Sequence, residues 1–400
     1  MKRQVRWQSA FLVFAILTLA INLRPGATSI GPVLQEMRES LAMSASGAGL
    51  LTALPGLVFA IVGLTATLFA RRLGLTGALI LASSAIAVGL IIRPFLSNVP
   101  LFFVLTIVAL AGMSIGNVLA PPFIRSNFPY RTAAVTTVYT TGIAIGGALP
   151  PLLSAPIAQA TDWRYALVLW GISGLLAFVV WIGVGRINRG RGRKPVARAA
   201  AAVPVVALFR SPKAIALAIF FGMQSMQAYV QFAWVPQMFR DGGLSATYAG
   251  TLLSVIPALG IIGAFLMPTV VDKMRNPAPV VLVLAGLLVL GYLGILYFPT
   301  TMPLLWVIAL GLSGSCFQMA IALINARSRD ISVTVPLSTL TQSIGYTFSA
   351  IGPFALGLLY ESTGAWDVPL WILIGSGVVL AISGIYAARP GYVDDELRLG

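Results

Sequence analysis

Histidine is absent, cysteine occurs once at Cys316, and only 9% of the 400 residues are charged, against roughly 25% in ordinary soluble domains. Without an imidazole there is no histidine general base, no axial histidine for haem and no common zinc site. One thiol cannot close a disulfide within the chain. The loop Gly-x-x-x-x-Gly-Lys does not occur, so no ATP-driven step is expected. Low charge excludes a wetted soluble surface, and 58% hydrophobic residues exclude disorder. Neither an enzyme nor a cofactor is expected. The net charge of +15 at pH 7 would suggest nucleic acid in a soluble protein. Here no polar domain exists to carry a basic stripe, so no nucleic-acid partner is expected.

What is present is apolar sequence in long runs, with a mean hydropathy of +0.92. A bilayer core about 30 Å thick takes about 20 residues as helix. Runs of that length fall at 10–34, 46–69, 75–95, 101–124, 132–156, 164–185, 212–238, 247–271, 278–298, 303–325, 335–359 and 367–388. They do not alternate as barrel strands do. The first is too long for a cleaved signal and lacks a small-residue cleavage site. The chain therefore reads as an all-α membrane protein with twelve transmembrane helices, multi-pass in the bilayer. Of the 26 Lys and Arg, 21 fall on the side of the N-terminus, three on the other (Arg38, Arg164, Arg240) and two inside spans (Arg24, Arg93). Basic loops mark the cytoplasmic side, so both termini are expected there.

A constant offset of 202 aligns the two halves. It pairs Pro55 with Pro257, Arg71 with Lys273, Gly89 with Gly291, Gly112 with Gly314, Arg125 with Arg327, Thr137 with Thr339 and Pro151 with Pro353. Six-plus-six parallel repeats are the major facilitator architecture, with the substrate cavity between the halves near the midplane. The expected organisation is two pseudo-symmetric six-helix bundles, 1–187 and 211–400, joined by a basic cytoplasmic linker at 188–210 and ending in a short cytoplasmic tail. The loop after the second span resembles the superfamily's signature Gly-x-x-x-Asp-Arg-x-Gly-Arg. Arg71 and Gly74 fit it, while Ala70 replaces the carboxylate and Asp272 holds the acidic place in the second half.

Arg24 is the position that composition makes most expensive. It lies mid-span, where an arginine costs about 2.5–3.5 kcal/mol on insertion scales. All eleven acids lie in loops, tails or span ends, so none meets it in the membrane. Arg24 needs water, backbone carbonyls or a ligand's negative charge, and Pro25 helps by freeing the carbonyl of Ile21. A guanidinium keeps its charge at any working pH and grips planar anions bidentately. Arg93, near the end of the third span, reads as a snorkelling residue or an entry-side attractor.

Gln224, Gln227, Gln231 and Trp234 share one face of the seventh span by spacing. That face reads equally as cavity lining or as interhelical hydrogen bonding. Asn22 pairs with Gln224 at the offset of 202. Asn117, Gln318, and Gln342 with Tyr346 at i, i+4 add amides and an aromatic in spans four, ten and eleven. The expected substrate-binding set is Arg24, Asn22, Asn117, Gln224, Gln227, Trp234, Gln342 and Tyr346. Such a lining suits a small anionic or polar organic solute with planar groups.

Asn22-Leu23-Arg24-Pro25, Gly116-Asn117-Val118-Leu119 followed by Pro121, Gln224-Ser225 with Trp234-Val235-Pro236, and Gln342-Ser343-Ile344-Gly345-Tyr346 resemble the cyanate and 2-nitroimidazole porter branch of the major facilitators. Gln227 and Gln231 depart from it. The resemblance implies secondary transport across a bacterial cytoplasmic (inner) membrane, by a monomer, of an anionic or heteroaromatic small molecule. Arg24 would be the anion anchor of an alternating-access cycle. Export of amphipathic drugs by the same architecture is the alternative. Coupling stays open between a co-transported proton carried on the solute, facilitated diffusion and exchange, because no midplane group titrates.

Overall fold

The computed structural model of the chain describes residues 2–188 and 203–397. Most of the expected basic linker lies outside the described residues. Among these, twelve helices are long and apolar enough to cross a membrane. In chain order, spans 1 to 6 are Trp7–Ser40, Ala45–Gly63, Leu68–Phe95, Val99–Asn127, Ala134–Ala160 and Trp163–Ile187. Spans 7 to 12 are Pro212–Asp241, Ala246–Lys273, Ala278–Tyr297, Pro303–Ala326, Ser332–Thr363 and Asp367–Ala388. All the regular structure among the described residues is helical.

Local chemistry sets the boundaries. Asn98, Ser211 and Ser245 accept from the backbone N–H of Leu101, Ala214 and Tyr248, satisfying helix-end donors. Span 11 stops at Gly364, whose φ of 65° is the left-handed conformation that closes a helix. Near the start of span 3 the helix breaks at Gly74, whose φ of 75° and ψ of 164° are open to glycine almost alone. That conformation is the reason a glycine stands at this position of the signature-like loop. Large apolar side chains stand exposed along the spans, including Ile61, Phe265, Val283 and Ile382. Such a surface belongs against lipid rather than water.

Contacts group the chain into two compact units, Met1–Met43 with Val58–Ala197, and Ser44–Leu57 with Arg198–Gly400. The first fourteen residues of that second set belong to the beginning of span 2. They lie against span 11, where a Cβ on Gly56 would come within 2.7 Å of the Ala350 nitrogen and one on Gly49 within 3.1 Å of the Pro353 carbonyl. The Ser46 N–H donates to Glu361 at 2.7 Å.

In the second unit the tail is tied down by its acids. Glu396 accepts from the hydroxyl of Ser211 and the N–H of Lys213, at the start of span 7. Asp394 accepts from the N–H groups of Arg329 and Asp330 at 3.0 and 3.1 Å, just before span 11. Asp395 pairs with the Arg329 guanidinium at 2.6 Å, and Arg327 donates to the Ala388 carbonyl at the end of span 12. Burial pulls the Arg327 guanidinium below its ordinary value.

Asp330 caps span 11 through the Ser332 N–H at 2.8 Å. Hydrogen bonds from Ser332 hold its carboxyl below the ordinary carboxylate range. A depressed acid stabilises the fold above its unfolded pKa of about 3.9 and loses that contribution as pH falls through the folded value. Asp330→Asn should therefore lower Tm slightly at neutral pH, where the contribution is present, and converge with wild type as pH falls below about 4, read by thermal unfolding across pH.

Candidate functional site

Span 1 is broken at the position the sequence marks. Its regular helix ends at Ile21 and resumes as the short turn Pro25–Thr28. Between them Asn22 and Leu23 bond three residues back, to Leu19 and Ala20 at 2.9 and 3.2 Å. Arg24 sits at φ −124° and ψ −31°, and its carbonyl starts the new turn by accepting from Ala27 and Thr28. The cause is Pro25, which has no N–H for the Ile21 carbonyl and disfavours helical backbone at the residue before it.

Glycines let the neighbouring spans of the first unit close on this break. A Cβ on Gly146 of span 5 would stand 2.0 Å from the Ile21 oxygen, and one on Gly142 would meet Ala20 at 2.7 Å. Gly116 of span 4 lies against Leu23, and Gly26 against Met113. Gly142 and Gly146 are thus close-packing residues at the break itself.

Arg24 is half-buried there. Its guanidinium has no hydrogen-bond or ion-pair partner among the described residues, although its own backbone carbonyl accepts from the N–H groups of Ala27 and Thr28 and from the Thr28 hydroxyl. Asn117 in span 4 is also half-buried; its amide N–H bonds its own helix at Met113, 3.1 Å away. Asn22 turns elsewhere. It is buried, and its amide donates to Thr18 and to both the carbonyl and the hydroxyl of Ser173 in span 6. Asn22 therefore clamps span 1 to span 6.

In the second unit the glutamine face of span 7 divides. Gln224 donates to the Gly314 carbonyl at 3.3 Å. Gln227 is fully buried, donates to Leu373 and Ser376 of span 12, and accepts from the Tyr292 hydroxyl of span 9 at 2.5 Å. Gln231 donates to the same hydroxyl. Trp234 is fully buried, donates to the Pro353 carbonyl at 3.0 Å and packs on Tyr360 and Trp366. Those two rings both hold Asp241 through their polar hydrogens. Gln227, Gln231 and Trp234 thus bind helix to helix. Replacing Gln227 by leucine should cost about 1–2 kcal/mol, the scale of interhelical hydrogen bonds in membranes. The reading is a lowered Tm with solute affinity unchanged.

Gln342 and Tyr346 of span 11 are half-buried and one turn apart. Gln342 donates to Ser338 in its own helix, and the Tyr346 ring stands edge-on to Phe221 at 6.5 Å. Sequence reasoning missed a second discontinuity. Span 10 is split into Pro303–Ser313 and Cys316–Ala326, and the Gly314 carbonyl at the split is the one Gln224 reaches. Three buried side-chain oxygens of spans 7, 10 and 11 have no partner among the described residues: the Ser225 and Thr341 hydroxyls and Gln318 Oε1. The run Gly311-Leu312-Ser313-Gly314-Ser315 was the available signal. Broken helices whose freed backbone and side chains face a solute are a recurring transporter device.

The major facilitator superfamily model matches residues 10–345. The chain is a major facilitator superfamily transporter. It is 33% identical to an uncharacterised transporter of Bacillus subtilis (strain 168), covering 96% of this chain and 95% of that one. It is 28% identical to the 2-nitroimidazole transporter of Escherichia coli (strain K12), covering 97% and 96%. It is 26% identical to the cyanate transport protein of the same organism, covering 88% and 91%. The fold matches a solved D-xylose–proton symporter with a TM-score of 0.75 at 16% identity, over 96% of this chain and 98% of that one. The resemblance read from the four motifs is thus supported along nearly the whole chain, and the protein is a multi-pass membrane transporter rather than an enzyme.

Proposed function

We propose that this transporter carries a small anionic or polar organic solute by alternating access, with Arg24 as the anchor for the solute's negative or acceptor group. The observation that carries the reading is a mid-span guanidinium held in a helix break without a partner among the described residues. A charge left so in a membrane interior is expensive unless a ligand completes it. Asn117, Gln224, Gln342 and Tyr346 would orient the solute. Asn22, Gln227 and Trp234 act by holding the helices that present them. Relatives named for a small anion and for a nitroaromatic compound are consistent with a site that recognises planar acceptors. The reading includes a bacterial cytoplasmic membrane, cytoplasmic termini, a monomer, and bundles of 1–187 and 211–400. A co-transported proton would travel on the solute itself.

A thermal-shift screen of purified protein against cyanate, nitroimidazoles and small aromatic carboxylates tests it, because a ligand that binds only the native state raises apparent stability. One of these classes should stabilise saturably, and the effect should vanish in Arg24→Ala. Equal stabilisation in that variant would contradict the assignment.

A further inference from the structure

Arg93 ends span 3, in the short turn Arg93–Phe95, and does not snorkel. It is 0% exposed. Its Nη1 donates to the Thr106 hydroxyl at 3.3 Å, a long bond to a group that itself donates to the Phe102 carbonyl. Its Nε–H has no partner. The guanidinium lies 5.7 Å from the centroid of Phe102, and the same ring meets Trp163 of span 6 edge-on at 6.4 Å. The indole N–H of Trp163 is likewise buried and unpartnered, as is that of Trp170, two turns further along the same helix face. The nearest acid in sequence, Asp162, is committed: its carboxylate accepts from the N–H and the guanidinium of Arg164. The Arg164 guanidinium lies over the Trp163 ring, 4.5 Å from its centroid. In the first unit Phe102 of span 4 thus neighbours both Arg93 of span 3 and Trp163 of span 6, and Thr106 is Arg93's one side-chain acceptor among the described residues. Orphaned buried donors call for a ligand that accepts without donating.

We propose that Arg93 and the indole N–H of Trp163 form an enclosed binding site for a small monovalent inorganic anion of the halide class, separate from Arg24. Burial selects the ligand. Phe102 and Thr106 are 0% exposed and Trp163 is 4% exposed, which excludes a lipid headgroup and a bulky organic acid. A halide needs no particular geometry from its donors, and so suits a guanidinium edge beside an indole. The site holds together the ends of three spans that otherwise face an unpaired charge.

The test is thermal unfolding of the purified full chain in sodium chloride against sodium gluconate at equal ionic strength. Wild-type Tm should rise saturably with chloride, by about 3 °C or more. Arg93→Met should abolish the dependence. Trp163→Phe keeps the ring but loses the donor, and should weaken the apparent chloride affinity several-fold in a chain that still folds. Arg24→Gln should retain the full chloride effect. The proposal is overturned if Tm is the same in both salts, which would leave water alone at Arg93. It is equally overturned if Trp163→Phe matches wild type, or if the effect disappears in Arg24→Gln.

Discussion

Replacing Arg24 by glutamine is expected to lower solute affinity about 100-fold and to reduce uptake in proteoliposomes to background, with expression and Tm near wild type. The magnitude follows from losing two charge-assisted hydrogen bonds, each worth about 1.5–3 kcal/mol, where 1.4 kcal/mol is tenfold. Stability should hold because the guanidinium has no hydrogen-bond or ion-pair partner among the described residues to lose. Lysine in its place should recover part of the affinity, since it restores charge without the planar fork. The drug-export alternative makes the opposite forecast. A large apolar cavity gains nothing from a fixed charge, and the Gln variant would then transport normally.

The second large effect should come from a single methyl group. Gly146→Ala places a Cβ 2.0 Å from the Ile21 carbonyl oxygen and 2.7 Å from its carbon. Both are backbone atoms, so no side chain can rotate away, and spans 1 and 5 must separate at the break. Overpacking of a tight core costs about 1–3 kcal/mol and sometimes more. The displacement falls on the turn that sets Arg24, so uptake should be lost even where the protein is made. Gly286→Ala is the matched control. Nothing lies within 4 Å of its added Cβ, and alanine is the better helix residue by about 1 kcal/mol. That variant should be as stable as wild type or more so, with normal transport. Comparing their Tm values and uptake rates separates a packing contact from a general intolerance of alanine.

The spans were legible because lipid demands length and apolarity, which are local properties of sequence. The break in span 1 was legible for a related reason: Arg24-Pro25 removes a backbone donor and adds a charge at one point. The break in span 10 was not. Gly314 and Ser315 are two small residues in a chain with 40 glycines, and neither forces a helix to end. Spacing placed the span 7 glutamines correctly on one side of a helix. It could not say that Gln227 would meet Tyr292 and Ser376, because partners on spans 9 and 12 are a tertiary fact. Arg93 was misread because a cation near a span end usually reaches water. Here Phe102 and Thr106 lie against it and it is fully buried.

The central claim is that a fixed positive charge in the span 1 break selects the solute. The most direct measurement takes the strongest binder from the ligand screen, with its carboxylate or equivalent anion replaced by the neutral isosteric amide. Both compounds are titrated into wild type and Arg24→Gln. Wild type should prefer the anion by tenfold or more, and the preference should collapse to near unity in the variant. An undiminished preference for the anion in Arg24→Gln would contradict the account.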